Sequence, residues 1–217
     1  MKKKSAIEHL LRIMAKLRSP RGCPWDREQT HLSLRRHAIE EVYELIDAIE
    51  ARDDHEMAEE LGDLLLQVVF HAQMAKERDA FDFEKVCRLL VDKLIRRHPH
   101  VFGKIKIKDV DEVWANWERI KRAEKSGTKS ERKSALDGIP KHLPALLRAE
   151  KLVKKARKVF ADGHHFSKPK TQLSKSELAR QLFDLTEFAQ SKNWSAEELL
   201  SDEIKRRERD WRRREKI

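Results

Sequence analysis

Apolar residues recur at helical spacing along most of this chain. Ile7, Leu10, Leu11, Met14 and Leu17 form one stripe and predict a helix over 6–18. Two prolines and a glycine between Ser19 and Asp26 predict a loop. Ala38, Ile39, Val42, Leu45, Ile46 and Ile49 define one face of a helix over 31–51. Met57, Leu61, Leu64, Leu65, Val68 and Ala72 do the same for a helix capped by Asp53 or Asp54 and ending near Glu77. Asp82 caps the next helix, which ends near His98 because Pro99 disfavours helix at the residue before it. Val101, Ile105 and Ile107 alternate weakly, so 101–108 reads as a connector with strand-like pattern. Asp109 caps a helix through about 125. Beyond a polar stretch at 126–135 come a strongly basic helix over 142–160, a loop over 161–174, and helices over 175–191 and 195–214.

The fold class expected from this pattern is all-α: a helical bundle with a smaller helical C-terminal region. The expected domains are 1–125 and 136–217, joined by a linker at 126–135. Composition agrees. Charged residues are 40% of the chain, against roughly 25% in an ordinary globular domain. Six Gly and six Pro are too few for a turn-rich sandwich or barrel. No apolar run approaches the ~18 residues of a membrane span, and Met1 to Ser5 open no signal-peptide stretch. Two cysteines, Cys23 and Cys87, make no disulfide framework, and Cys23 has no His base beside it in sequence. A reducing, cytoplasmic setting is expected.

Charge becomes informative once it is divided. The net charge is +10, yet residues 31–70 hold eleven acids and three bases. That acidic island is −8 in a remainder of +18. An island of this kind suggests a bound cation, and its basic surround suggests an anionic ligand. Helical wheels at about 100° per residue sharpen the point. With Ala38 as origin the apolar face centres at about 40°, Glu41 falls at about 300° and Glu44 at about 240°. With Met57 as origin, Glu60 and Asp63 fall at the same two angles. If the two helices pack antiparallel through their apolar faces, four carboxylates converge at one edge. They would repel one another and resist ionisation unless a divalent cation sat among them. All-oxygen ligands suit Mg²⁺, with Mn²⁺ as an alternative, rather than zinc. Glu40 and Asp47 point further from the core.

Glu40-Glu41-Val42-Tyr43-Glu44 followed by Glu60-Leu61-Gly62-Asp63 resembles the EExxE…ExxD signature of the all-α nucleoside triphosphate pyrophosphohydrolases. Gly22 to Thr30 (GCPWDREQT), Glu60 to Met74 and Arg96 to Phe102 (RRHPHVF) resemble the MazG family within that group. The resemblance covers about residues 5–125. It implies a Mg²⁺-dependent hydrolase that splits nucleoside triphosphates into monophosphate and pyrophosphate, in a helical bundle and as a homodimer. It implies Glu41, Glu44, Glu60 and Asp63 as metal ligands, with Glu40 or Glu44 orienting the water. It also implies Lys93 and Arg97 as phosphate contacts, Trp117 beside the base and Lys121 near the phosphates.

His71 and Gln67 lie on the acidic flank, where His71 is expected to bond between helices. Trp25 reads either as a lid or base contact or as a core plug. Leu66 and Phe70 stand opposite the apolar face, which suggests a second interface such as a dimer seam. Residues 177–207 look like an eroded copy of the hairpin from Glu60 to Arg97, with Arg180 at the place of Asp63 and no EExxE helix before it. A cation in place of a ligand predicts a non-catalytic repeat. The alternative function is a catalytically impaired relative whose basic C-terminal helices bind nucleic acid or a regulatory protein partner. The last helix alternates its bases with Asp202, Glu203, Glu208, Asp210 and Glu215 and carries no nucleic-acid motif, so nucleic acid is not expected as a partner.

Overall fold

A computed structural model describes residues 5–128, 131, 134–160 and 173–215. Those residues form ten α-helices and one 3₁₀ turn, and no strand occurs among them. The chain divides into two compact units, Met1–Val113 and Trp114–Ile217. The division falls inside a helix, upstream of the polar stretch at 126–135. Positions 129, 130, 132 and 133 of that stretch, and 161–172 of the expected loop, lie outside the described residues.

The first unit begins with α1 (Ala6–Leu17), opened by a capping box between Ser5 and Glu8. The expected loop at 19–26 is shorter than its prolines suggest, because Pro24 occupies the first position of a short helix, α2 (Pro24–Glu28). The helix expected from residue 31 starts later. Thr30 and Ser33 bond each other's backbone amides, and a 3₁₀ turn (Ser33–Arg35) precedes α3 (His37–Ala51). Arg52, with φ of 57°, reverses the chain, and Asp53 caps α4 (Asp54–Lys76) by accepting from the amides of His55 and Glu56. So tight a connection makes α3 and α4 an antiparallel pair. Asp82 caps α5 (Phe83–Arg97), and Pro99 opens the short α6 (Pro99–Phe102). The weak alternation at 101–108 therefore yields no strand: 101 and 102 are helical, and the rest runs irregularly to α7 (Val110–Ala123).

Burial corrects two expectations about α3 and α4. The pair does not close through the middle of its apolar faces. The sheltered line runs along Ala38, Glu41, Leu45 and Ala48 on α3, and Met57, Glu60, Leu64 and Gln67 on α4. Ile39, Val42, Ile46 and Ile49, and Leu61, Leu65 and Val68, stay exposed. Each stripe lies about 100° round from its contact line. Because the helices are antiparallel, both stripes fall on the same side of the hairpin. The second correction concerns Leu66 and Phe70, read above as an outward seam. α1 covers them: Phe70 is buried with Met14, Leu34, Val69 and Met74, and Leu66 packs against that cluster. The wheel could not assign a face to α1, so it left this side open.

In the second unit α8 (Ala145–Val159) and α10 (Ala196–Glu215) pack together over Leu136, Ala145, Leu152, Ala156, Ile204 and Trp211. A network of Asp137, Arg212, Glu208 and Arg148 flanks that core, with ion pairs at 2.7–2.8 Å. Between them in sequence, α9 (Lys175–Ser191) touches α10 and leaves Leu178, Leu182, Leu185 and Phe188 exposed.

Candidate metal centre and nucleotide site

The contact line of the α3–α4 hairpin carries acids where a soluble hairpin would ordinarily carry Leu or Ala. Ligand atoms of Glu41, Glu60 and Asp63 lie within 4.8 Å of one another. Glu44, one turn from Glu41, shares a hydrogen bond with it and acts on Glu60 through its charge. The Gln67 amide donates to Glu41 Oε1 at 3.4 Å. Burial, and then the charges of Asp63 and Glu44, raise the pKa of Glu41. Glu60 is raised too, by desolvation and then by Glu44, Asp63, Glu56 and Glu59. Its Oε2 is buried with no hydrogen-bond partner. A carboxylate oxygen sheltered without a donor, among other carboxylates, is an uncompensated acceptor. The residues therefore fit a divalent cation, and their all-oxygen chemistry suits Mg²⁺ or Mn²⁺.

The other expected site residues are placed as follows. Glu40 is exposed and pairs with His37 at 3.2 Å, outside the carboxylate cluster. Lys93 is exposed on α5, and Arg97 is half-buried one turn further on. Trp117 and Lys121 belong to the second unit, on α7. The Lys121 ammonium sits 5.3 Å from the centre of the Trp117 ring, and Trp114 meets the same ring edge-on at 5.3 Å.

The sequence reading passed over Glu56 and Glu59, which add negative field at Glu60 and gather with His55 at the exposed start of α4. Their i−4 and i−1 spacing from Glu60 was the available signal. It also passed over Arg18. That guanidinium grips Glu77 of α4 at 2.8 Å, donates to the carbonyls of Asp26 and Gln29, and lies 5.4 Å from the centre of the Phe70 ring. It ties α1 and the α2 loop to α4, and its hydrogen bonds hold the Glu77 pKa low. Trp25, on that loop, meets Phe70 and His37 edge-on and is half exposed. His71 bonds across to His31, Nδ1 to Nδ1 at 2.8 Å, with the rings stacked. Burial, and then His31, lower its pKa.

Residues 29–102 match the MazG nucleotide pyrophosphohydrolase domain. Over that stretch the chain is similar to MazG domains. The chain is 49% identical over 157 residues to a nucleoside triphosphate pyrophosphohydrolase of Escherichia coli, covering 72% of this chain and 59% of that protein. It is 52% identical over 156 residues to the nucleoside triphosphate pyrophosphohydrolase/pyrophosphatase MazG of Thermotoga maritima, covering 72% and 58%. The uncharacterized protein YabN of Bacillus subtilis is 51% identical over 142 residues, covering 65% of this chain and 28% of its own length. The chain thus spans less than two thirds of the length of these relatives. The matched stretch takes in all four carboxylates, Gln67, Lys93 and Arg97, and excludes Trp117 and Lys121. No helix of the described residues is long and apolar enough to cross a membrane.

Proposed function

We propose that this chain hydrolyses nucleoside triphosphates to nucleoside monophosphate and pyrophosphate, with Mg²⁺ or Mn²⁺ held by Glu41, Glu44, Glu60 and Asp63. The observation that carries the reading is the buried, unpartnered oxygen of Glu60 within a three-carboxylate cluster of the stretch similar to MazG domains. When bound, such cations supply charge neutralisation for the triphosphate and a water of lowered pKa. Gln67 fixes the rotamer of Glu41. Glu44, or Glu40 from its outer position, orients the attacking water and accepts its proton. Oxygen bonds to the α-phosphorus as the bond to the β-phosphate breaks. Lys93 and Arg97, i and i+4 on α5, meet the phosphates. Trp117 offers a face for the base, and Lys121 beside it offers a cation.

In the same reading residues 1–125 are the catalytic region. Residues 136–217 are a degenerate, non-catalytic repeat beyond a linker at 126–135, because Arg180 stands where Asp63 stands in the first copy. A homodimer completes the account. The exposed side of the α3–α4 hairpin gathers seven large apolar residues, more than an isolated soluble hairpin leaves in water. A second copy of that hairpin would turn two helices into four. Ion-exchange separation of products from each common triphosphate with Mg²⁺ tests the reaction. Monophosphate and pyrophosphate are expected; diphosphate and orthophosphate as first products would overturn it.

A further inference from the structure

Positive charge is distributed very unevenly between the two units. From Trp114 onward there are 27 Lys and Arg against 16 Asp and Glu, a net +11. Residues 1–113 hold 21 against 22, a net −1. Two helices, α8 and α10, carry 13 of those 27 bases, and the fold treats them differently. On α10 the bases are answered within the helix. Asp202 pairs with Lys205 at 2.7 Å, and Glu203 with both Arg206 and Arg207 at 2.6 Å. Asp210 lies near Arg206 and Arg213, and Glu208 takes Arg212 at 2.7 Å.

On α8 the arrangement is the reverse. Its inner face, Ala145, Arg148, Leu152 and Ala156, is buried against α10, and the one base there is paired with Glu208 at 2.8 Å. That packing fixes which side faces out. Lys151, Lys154 and Lys158 lie there at helical spacing, all exposed, and Glu150 is the helix's single acid. Among the described residues no carboxylate pairs with any of the three. Seven residues of helix span about 10 Å, so three like charges crowd a short line beside a single carboxylate, Glu150, that pairs with none of them.

We propose that the outer face of α8 binds the phosphate backbone of nucleic acid, independently of base sequence. A line of three cations about 10 Å long can neutralise successive phosphates of one strand. Contacts of this kind need only exposed cations and a released counterion atmosphere. A membrane surface asks for more. A helix lying on lipid inserts an apolar face, and α8 has spent its own on α10. Only Leu146 and Leu147, at its first turn, are apolar and exposed. The expectation against nucleic acid rested on the final helix, where Lys205, Arg206, Arg207, Arg212 and Arg213 pair within the helix; α8 is a different surface. The inference stands whether or not the first unit hydrolyses nucleotides.

The test is fluorescence anisotropy of a labelled 20-nucleotide single strand against the full chain over a salt series. Binding should weaken steeply with salt. K151E/K154E/K158E should weaken it about tenfold or more at low salt, and K151Q/K154Q/K158Q should lower the slope of log K against log salt by about 2. K175E/R180E/K192E, three exposed bases of α9 and its C-terminal cap with an equal change in charge, should weaken it far less. Circular dichroism melts of all variants confirm folding. No salt-dependent binding by the wild type, equal weakening by the α8 and α9 charge reversals, or binding to phosphatidylserine vesicles in place of the oligonucleotide would each overturn the proposal.

Discussion

Gln67 shows how one uncharged side chain serves a cluster of charges. It sits on the contact line between α3 and α4, donates to Glu41, and is nearly buried. Residues that orient a metal ligand typically matter about 10–100-fold in metal affinity or activity. Gln67→Ala should therefore lower turnover by about that factor and raise the Mg²⁺ concentration needed for half-maximal rate, as a Mg²⁺ titration would read. The acids carry a pH signature of their own. Glu41 and Glu60 ionise later in the folded chain than a free glutamate at 4.5. Their stabilising contribution is complete below that value and is lost as pH rises through their raised pKa values. Metal-free protein should lose this part of its stability between pH 4.5 and neutrality, and Mg²⁺ should restore it. Glu41→Gln should raise the metal-free Tm relative to wild type by more at pH 7 than at pH 4.5, and should reduce the gain on adding Mg²⁺. Equal Tm differences at both pH values would count against the charge-repulsion account.

At the scale of the element, the α3–α4 turn and the α1 cover hold the site in shape. Asp53 caps α4 through two amides, and its loss to Ala should cost about 1 kcal/mol. Phe70 of α4 is buried with Met14 of α1 and Leu34 of the 3₁₀ turn in the core of the first unit, and Phe70→Ala should cost about 3–5 kcal/mol in a denaturant melt. Helix existence was legible because the apolar residues of α1, α3, α4 and α5 keep a 3.6-residue period. Cap residues Asp53 and Asp82 fixed two of the starts, whereas the Ser5 capping box of α1 went unread. The packing partner of each face was not legible. A wheel says which residues leave water, not what covers them, so Phe70 was assigned outward and Leu61 and Leu65 inward. The acids were legible for a related reason: Glu41–Glu44 and Glu60–Asp63 break the apolar pattern at the same offset on two successive helices. Arg18, by contrast, reaches Glu77 across 59 residues of sequence, and no local pattern announces it.

At the scale of the whole molecule, two of the apolar surfaces left exposed among the described residues bear on assembly. One is the hairpin side bearing Ile46 and Leu65, the other the stripe of α9 from Leu178 to Phe188. Leu65→Lys should convert the proposed dimer to monomer in sedimentation velocity while leaving the helical circular dichroism unchanged. A dimer of wild-type mass in that variant would move the interface elsewhere. The central claim, though, is that four carboxylates on one hairpin hold the cation on which hydrolysis depends. The most direct measurement is turnover of a nucleoside triphosphate against Mg²⁺ concentration for wild type, Glu41→Gln and Asp63→Asn, each shown to be folded. The account predicts Mg²⁺-dependent release of monophosphate and pyrophosphate by the wild type and a loss of about 10²-fold or more in both variants, the several kcal/mol that metal stabilisation supplies. Near-normal turnover in both variants would contradict it.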